Sequence, residues 1–239
     1  DKEKPHFLLE QYSIQKTPFL GMITDYYQLH SVMTQTNCSQ VFIKLAHGSS
    51  ASGVMAYRRN NSKESLLGSV ELIRENGKIK LYNSLKIRHY TKQEDIQDII
   101  NTLAKEKLLA EKWLQKSIFD EKTIDLRMVY IDGKVEHTVV RSSEYPMTNL
   151  HLGSQRGDLE KLQKLIGDQK WYNLQNQVIQ TVNCFQESKI AGVDILFTPN
   201  FKKSFIIEVN AFGDLLPNVV NKQGFTTYEE QANYISKIY

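Results

Sequence analysis

The sequence predicts an α+β protein whose sheets are largely antiparallel. Two turn signals, Asn76-Gly77 and Asp132-Gly133, each stand between strand-like runs, which is typical of β-hairpins. Segments with apolar residues at helical spacing alternate with these hairpins. Parallel strands need a crossover connection between most neighbours, and the hairpins leave little room for one. The order of elements therefore favours antiparallel sheets covered by helices.

The front half of the chain is predicted to be rich in strands. Residues 1–20 are expected to be irregular because Pro5 and Pro18 interrupt them, and a short helix is expected to follow, with Thr24 or Asp25 as its N-cap. The further predicted elements are strands at 41–46 and 54–58, a polar turn at 60–65, a hairpin of 68–74 with 78–87, and a helix at 94–107.

The back half combines two more hairpins with three helices. The predicted elements are a strand at 108–114, a hairpin of 126–131 with 134–141, a loop at 146–153, helices at 158–166 and 173–186, a hairpin within 191–217, and a helix near 228–238. Composition shifts near residues 107–113. We therefore expect an N-terminal remnant or linker at 1–40, a front lobe at 41–110, and a back lobe at 111–239 that carries the metal-binding strands.

Composition excludes several classes of protein. In 239 residues, 41% are hydrophobic, which is ample for a packed core, and the net charge of +3 is too small to indicate nucleic acid as a main partner. No apolar run is long enough for a membrane span, and we expect no signal peptide. Cys38 and Cys184 are far apart and have no metal-binding spacing, so a reducing cytoplasm is the expected compartment.

The stretch from Ala191 to Pro217 carries polar residues where a buried hairpin should be apolar. Its two strands contain Asp194, Glu208 and Asn210. A buried carboxylate is costly unless it meets a cation or another partner. Three oxygen-bearing side chains on adjacent strands form the ligand set of a hard divalent ion such as Mg²⁺. The residues alone leave open a second interpretation, a structural carboxylate pair that accepts hydrogen bonds from loop amides.

A run of small residues lies between the first two predicted strands of the front lobe. Lys44 precedes it, and the run contains Ser49, Ser50, Ser52 and Gly53. The amides of such a loop can cover a phosphate chain while the lysine reaches it from a strand. The pattern is not a P-loop, which places its lysine after the last glycine. An ordinary hairpin tip with a solvated lysine is an equally good interpretation of this segment alone.

The segment Glu111 to Leu114 stands at the expected join between the lobes. Its backbone edge could hydrogen-bond a nucleobase while Leu114 packs on the base, but these residues alone favour an ordinary amphipathic strand. Further along, Asp125 and Arg127 share one face of a strand, which fits an ion pair within the sheet.

Arg141 ends the hairpin that Asp125 and Arg127 begin. It leads into a loop containing Asn149 and His151, and its planar fork suits phosphate or carboxylate. The sequence shows no Ser/His/Asp or Cys/His arrangement, which gives little support to nucleophilic hydrolysis.

Together, these segments resemble the ATP-grasp superfamily in their order and type. The resemblance runs from Lys44 to Pro217 through VFIKLAHGSSASGV, AEKWL, DLRMVYIDGKV, an R…TNLHLG segment and GVDILF…IIEVNAFGD. It is nearest to the ligases that glutamylate ribosomal proteins. These ligases show a similar Asp-x-Arg strand, an Asn-Leu-His loop and a Gly-Val-Asp…Glu-Val-Asn ending. The fold implied is that of ATP-grasp proteins, in which two lobes clasp ATP between them.

The resemblance also implies roles for individual residues. Those implied for the nucleotide are Lys44 at the α- and β-phosphates, Ser49, Ser50, Ser52 and Gly53 over them, Glu111 and Leu114 along the adenine, and Asp120 or Glu121 on the ribose. Those implied for the metal are Asp194, Glu208 and Asn210, which would bind Mg²⁺, with Mn²⁺ as an alternative. Arg141, Asn149 and Arg127 are the implied catalytic residues, with Arg141 steadying the transferring phosphoryl group.

The chemistry implied is that of an ATP-dependent carboxylate–amine or carboxylate–thiol ligase. A substrate carboxylate attacks the γ-phosphate, an acyl-phosphate forms, and an amine displaces phosphate, so ADP and phosphate are released. The expected partners are a carboxylate substrate and an amine acceptor, each a small molecule or a peptide. Two alternatives stay open: a kinase of the same fold that phosphorylates a hydroxyl, and a non-catalytic nucleotide-binding module.

Two departures from the family pattern affect the substrate prediction. The glutamylating ligases carry an arginine shortly before the Asn-Leu-His loop, where this chain has Met147 in a shorter loop. The family also has an upstream α/β lobe, which residues 1–40 are too few to form. We therefore expect that the chain is a piece of a longer protein or that a partner supplies this surface. The sequence does not predict the oligomeric state.

Overall fold

The chain forms two compact units, each built from discontinuous segments. The computed structural model describes residues 2–48, 52–60, 63–211, 215–216 and 218–237. The first unit comprises residues 1–4, 17–114 and 149–154, and the second comprises 5–16, 115–148 and 155–239. This division differs from the expected one. Residues 17–40 are not a remnant or linker but an integral part of the first unit, because Ile23, Tyr26 and Leu29 are buried in its core.

The first unit is a six-stranded sheet with two helices. Every described strand pair is antiparallel, in the spatial order β1-β6-β2-β3-β4-β5. The elements are β1 Phe19–Ile23, α2 Tyr26–Gln35, β2 Gln40–Leu45, β3 Met55–Asn60, β4 Lys63–Glu75, β5 Lys78–Tyr90, α3 Gln93–Leu103 and β6 Leu108–Lys112, with a short 3₁₀ turn at Ala104–Glu106 between the last two.

Local sequence explains both helices of this unit. The predicted N-cap is confirmed at Asp25, whose Oδ1 accepts a hydrogen bond of 2.8 Å from the backbone N–H of Gln28. In α3, Ile96, Ile99 and Ile100 follow the helical spacing and are fully buried. Burial of each such side chain contributes about 1.5–3 kcal/mol, so this stripe fixes α3 to the core.

The second unit is a six-stranded sheet packed against helices. Four strand pairs give the order β10-β9-β8-β11-β12, and the short β7 pairs with β8 outside this path. Most of helix α1 also belongs to this unit. The elements are α1 Glu3–Gln11, β7 Ile118–Phe119, β8 Lys122–Ile131, β9 Lys134–Ser143, β10 Gln155–Gly157, α4 Leu159–Ile166, α5 Asp168–Asn183, β11 Ile190–Phe197, β12 Ser204–Asn210 and α6 Thr227–Ile235.

The two faces of this second sheet differ in character. Leu126 and Met128 of β8 belong to a hydrophobic cluster that also contains Leu174 and Val178 of α5. Because side chains alternate along a strand, the polar neighbours Asp125 and Arg127 point to the other face. This alternation creates one apolar face toward the helices and one face that carries buried charge.

Both predicted hairpin turns are confirmed. Asp132 and Gly133 have φ values of +44° and +85°, as a two-residue type I′ turn requires. The turn joins β8 to β9, which begin and end within a few residues of the predicted limits. The hairpin of β11 and β12 is confirmed as well, with β11 between β8 and β12 in the sheet.

Some predictions about irregular segments are wrong. Residues 3–11 form α1, and Pro5 lies in its first turn, where a proline needs no hydrogen-bonded N–H. Residues 19–23 form β1 at the edge of the first sheet. By contrast, the predicted loop at 146–153 is confirmed; it contains a short 3₁₀ turn at Leu150–Leu152, and β10 follows it. Among the helices that the structure describes, none combines the length and apolar character needed to cross a bilayer.

Candidate functional site

A buried ion pair joins two predicted site residues of the first unit. Register places Phe42 opposite Glu111 and Lys44 opposite Leu109, so Lys44 and Glu111 lie on one face of neighbouring strands. Lys44 Nζ donates to Glu111 Oε2 at 2.7 Å, and Thr17 Oγ1 donates to the same oxygen at 3.0 Å. Both charged side chains are buried, at 7% and 2% exposure. An ammonium has three N–H donors, and Glu111 fixes the direction of one of them.

The described residues at the two ends of the small-residue loop, Gly48 and Ser52, lie close together. Ser49 and Ser50, predicted to cover phosphates, lie outside the described residues. A Cβ added at Gly48 would stand 2.7 Å from the carbonyl oxygen of Ser52, so only glycine allows the two ends to approach this closely. Gly53 follows in a buried position with φ of +66° and leads into β3. The strands on either side of the loop, β2 with Lys44 and β3, are paired in the same sheet.

The predicted adenine segment continues from β6. Trp113 is tied to β2, because its N–H donates to Gln40 O at 3.4 Å and its carbonyl accepts from Gln40 Nε2 at 3.3 Å. Leu114 follows as the last residue of this segment in the first unit and is half-buried.

Asn149, a predicted catalytic residue, also belongs to the first unit. Its carbonyl accepts hydrogen bonds from the N–H groups of Leu152 and Ser154.

The polar face of the second sheet carries the predicted metal ligands together with Arg127 and Arg141, whereas Asp120 and Glu121 are exposed in the turn before β8. Asp125 stands opposite Arg141, and Asp194 stands between Arg127 on β8 and Glu208 on β12. In an antiparallel sheet, directly opposite residues point to the same face. Asn210 is two residues beyond Glu208 on β12 and opposite Gly192. Register therefore gives the three predicted metal ligands a shared face.

Two arginines hold the two aspartates together. Arg141 Nε donates to Asp125 Oδ1 at 2.7 Å, and its Nη2 lies 3.1 Å from Asp194 Oδ2. Arg127 binds Asp194 through Nε and through Nη2, the latter at 3.2 Å from Oδ2. A Cβ added at Gly192 would stand 3.0 Å from Arg127 Nη1, so this glycine leaves room for the guanidinium.

This arrangement corrects the ion pair expected from the sequence. Asp125 and Arg127 share a face, but each pairs with a residue of a neighbouring strand, Asp125 with Arg141 and Arg127 with Asp194. Cross-strand neighbours stand closer than residues i and i+2 of one strand, so pairing across the sheet is favoured.

Sequence reasoning missed two residues of this cluster, Lys116 and Thr148. Lys116 Nζ donates to Asp125 Oδ2 at 2.8 Å and to Thr148 Oγ1 at 2.7 Å, and Thr148 Oγ1 donates to Asp125 Oδ2. Nothing in the local sequence QKS distinguishes Lys116 from a solvated lysine. We name the set of Lys116, Asp125, Arg127, Arg141 and Asp194 the charged cluster and use this name below.

Electrostatics favour the charged forms of Arg141 and Asp125. Burial alone would lower the pKa of Arg141, but the charges of Asp125 and Asp194 outweigh burial, and the pKa is raised. Burial would raise the pKa of Asp125, yet the nearby charges of Arg141 and Lys116 hold it below its ordinary value. Burial lowers the pKa of Lys116, and Asp125 offsets only part of that effect. The charged cluster thus sets three basic side chains beside Asp125 and Asp194, and Glu208 lies on the same face of the sheet.

The predicted metal ligands fit Mg²⁺ in their chemistry. Two carboxylates and one amide are hard oxygen donors of the kind that Mg²⁺ takes together with substrate phosphates. Asn210 would bind the ion through Oδ1, because its Nδ2 is a hydrogen-bond donor; this Nδ2 is buried and has no hydrogen-bond partner among the described residues. The described residues contain no cluster of three or more His, Cys, Asp or Glu side chains that could hold a metal on its own. A metal here would share Asp194 with Arg127 and Arg141.

Comparison with known proteins identifies the fold. No protein-family model and no curated protein matches the sequence. Solved structures match the whole chain at low identity. The ATP-grasp ligase PsnB, complexed with a phosphomimetic variant of its minimal precursor, Mg and ADP, is 11% identical with a TM-score of 0.53, and the match covers 100% of this chain and 59% of PsnB.

Two further ligases give similar values. The macrocyclase MdnC bound with precursor peptide MdnA from Microcystis aeruginosa MRC is 12% identical with a TM-score of 0.53, covering 100% of this chain and 60% of MdnC. The D-alanine-D-alanine ligase from Coxiella burnetii is 12% identical with a TM-score of 0.57, covering 99% of this chain and 56% of that ligase. The predicted ATP-grasp fold is therefore confirmed, and the chain spans less than two thirds of the length of these proteins.

Proposed function

We propose that the chain carries the ATP-binding part of an ATP- and Mg²⁺-dependent carboxylate–amine or carboxylate–thiol ligase. Such an enzyme forms an acyl-phosphate and releases ADP and phosphate. The observation that carries the proposal is Arg141, a buried guanidinium held by two carboxylates on a sheet of the ATP-grasp fold. Fixed cations of this kind stabilise phosphoryl transfer because they need no reorganisation when charge develops.

The first unit is proposed to bind the nucleotide. Lys44 contacts the α- and β-phosphates through the N–H groups that Glu111 leaves to it, and the ion pair of 2.7 Å keeps its ammonium in place. The amides of the loop from Ser49 through Ser50 and Ser52 to Gly53 cover the same phosphates. Leu114, with the backbone near Glu111, lies along the adenine.

The second unit is proposed to hold the metal and the transferring group. Asp194, Glu208 and Asn210 would hold Mg²⁺, or Mn²⁺ in its place, and the bound ion would neutralise phosphate charge. Arg127 orients Asp194 through its two hydrogen bonds. Arg141 steadies the transferring phosphoryl group and the acyl-phosphate. Asn149, in the first unit, is proposed as a further catalytic residue.

The substrate class follows from the same motifs. The order of the Asp-x-Arg, Asn-Leu-His and Glu-Val-Asn segments supports a carboxylate substrate and an amine acceptor, each a small molecule or a peptide. Met147 stands where those ligases carry an arginine, so the proposal stops at the class of carboxylate and amine. We place this activity in a reducing cytoplasm, consistent with two unpaired cysteines, Cys38 and Cys184.

The first test measures nucleotide binding and product identity. Calorimetry with ATP and Mg²⁺, and separately Mn²⁺, should show metal-dependent binding. A panel of carboxylates with amines should then produce ADP and free phosphate. Glu208→Gln should abolish turnover, and Asp194→Ala should do the same. Lys80→Met is the matched control, because it removes only an exposed ion pair with Glu75.

Each alternative has its own outcome in this test. AMP with pyrophosphate would contradict the ligase proposal. Transfer of the γ-phosphate to a hydroxyl without release of free phosphate would indicate a kinase. Metal-dependent ATP binding with no turnover on the whole panel would indicate a nucleotide-binding module.

A further inference from the structure

Lys116 is buried at a position where the proposed chemistry assigns it no contact with a ligand. It is 9% exposed, and its Nζ reaches Asp125 Oδ2 and Thr148 Oγ1 at 2.8 and 2.7 Å. Thr148 donates its own O–H to Asp125 Oδ2. The three groups form a closed triangle of hydrogen bonds: Lys116 donates two, Thr148 accepts one and donates one, and Asp125 accepts two.

Ser117, the residue that follows Lys116, is held by hydrogen bonds of both its backbone and its side chain. The N–H of Ser117 donates to Phe197 O at 2.7 Å, and its carbonyl accepts from Ile124 N–H at 3.1 Å. Its Oγ donates to Thr198 O at 2.6 Å and accepts from Phe201 N–H at 3.1 Å. These bonds tie the segment to β8, to the end of β11 and to the turn that follows it. Lys116 therefore projects from a rigid base.

The triangle fixes one oxygen of Asp125 and so leaves the other oxygen for Arg141. Oδ2 accepts from Lys116 and Thr148, whereas Oδ1 accepts from Arg141 Nε at 2.7 Å. With both oxygens engaged, the plane of the carboxylate is set, and it sets the direction of the guanidinium. Arg141 Nη2 then meets Asp194 at 3.1 Å.

A merely structural role explains this arrangement poorly. An isolated buried lysine loses its hydration, and an apolar side chain of similar volume in the same place is often neutral or stabilising. Methionine would fill the space of Lys116 without a charge. The sequence instead has a lysine here, and its described hydrogen bonds run to Asp125 and Thr148.

Resting on the function proposed above, we infer that Lys116 is a positioning residue that, with Thr148, locks Asp125 so that Arg141 presents its guanidinium to the γ-phosphate of ATP. It acts through Asp125 and touches neither nucleotide nor metal. Loss of Lys116 should therefore weaken recognition of the γ-phosphate and leave recognition of the rest of the nucleotide intact.

The test compares two nucleotides that differ at the γ-phosphate. We would measure dissociation constants of ADP and of the non-hydrolysable analogue AMPPNP, both with Mg²⁺, for the wild type and Lys116→Met. Affinity for AMPPNP should fall about tenfold or more, the scale of a charged hydrogen bond, while affinity for ADP should change by less than about twofold. Lys80→Met, which breaks a 2.7 Å ion pair at an exposed site, should leave both affinities unchanged.

A second variant keeps the inference falsifiable if Lys116→Met folds poorly. Thr148→Val removes the hydroxyl of the triangle but keeps the shape of the side chain, so it should lower the preference for AMPPNP over ADP in the same direction. Thr148→Ser retains the hydroxyl and should restore that preference. Thermal unfolding of each variant reports the folded fraction.

The outcomes separate the two proposals. A wild type that binds neither nucleotide with Mg²⁺ overturns the proposed function and, with it, this inference. A wild type that binds both, with Lys116→Met showing an unchanged preference or an equal loss for both nucleotides, overturns the positioning role alone. A selective loss for AMPPNP in Lys116→Met and Thr148→Val supports it.

Discussion

Asp194 accepts hydrogen bonds from both Arg127 and Arg141, so its replacement should have an effect on stability separate from any effect on metal binding. Asp194→Asn leaves the buried guanidinium of Arg141 and the half-buried guanidinium of Arg127 without their shared charge, which should lower the free energy of unfolding by about 3 kcal/mol or more. Glu208→Gln changes a half-buried carboxylate and should cost less. Urea denaturation of both variants measures the difference.

The contrast between these two variants supplies its own control. Both substitutions remove one negative charge and keep the shape of the side chain. Equal losses of stability in Asp194→Asn and Glu208→Gln would contradict the pairing of Asp194 with the two arginines.

Sequence revealed some site residues and concealed others for a physical reason. Asp194 and Glu208 stand out because each is a carboxylate within an apolar strand, and such an interruption can be recognised in the sequence alone. Lys116 and Thr148 lie in polar surroundings along the chain, and their burial results from packing across the sheet. The partners of Asp125 were likewise hidden, because the register that brings Arg141 opposite Asp125 depends on the hairpin as a whole.

At the scale of elements, α6 is held at its start by a capping box. Thr226 accepts a hydrogen bond from Glu229 N–H, and the Glu229 side chain accepts one from Thr226 N–H. Thr226→Ala should therefore lower the free energy of unfolding by about 1 kcal/mol. Chemical denaturation measures the loss, with Lys222→Ala as a control at an exposed neighbouring position.

The capping box would lose its support if Thr226→Ala and Lys222→Ala were equally stable. The cap also lowers the pKa of Glu229, first through the backbone hydrogen bond of Thr226. The contribution of this carboxylate is therefore present above its ordinary pKa and lost as pH falls through the lowered value.

Elements with a strong local signal were predicted well, and the missed elements lack one. The hairpin around Asp132-Gly133 is indicated by its turn residues and by the apolar runs on both sides of them. By contrast, β10 consists of the polar residues Gln155–Gly157 and exists because it pairs with β9. Helix α1 was missed because Pro5 suggested an interruption, whereas a proline in a first turn starts a helix.

For the whole molecule, the charged cluster should govern stability in acid. The pKa of Asp125 lies below its ordinary value of 3.8 because the charges of Arg141 and Lys116 outweigh burial. Its contribution to stability is therefore complete above the ordinary value and is lost as pH falls through the lowered value. The free energy of unfolding should decline steeply below about pH 4, as measured by denaturation at a series of pH values.

Asp125→Asn tests the origin of that decline. The variant should be less stable at neutral pH, because Lys116 and Arg141 lose their partner, and its stability should depend less on pH in the acid range. An acid decline as steep as that of the wild type would show that other carboxylates cause it.

The division into units could not be taken from the sequence. Fold class and the ATP-grasp resemblance follow from the order of motifs, which is a linear property. Residues 5–16 and 149–154 belong to the unit opposite to the one that their chain neighbours form, and no shift in composition marks these changes. Long-range pairing decides the membership of such segments.

One of these pairings has a consequence for how the protein is made. Gln15 O accepts the N–H of Ile206 at 2.9 Å, and Lys16 bridges to Ile206 in parallel, so a segment near the beginning of the chain joins β12 near its end. A ribosome releases Gln15 long before Ile206 exists, and contacts of such high sequence separation form slowly. The second unit can therefore complete its sheet only after β12 has been synthesised. Until then, β8 and β9 belong to a nascent chain that lacks the later strands β11 and β12.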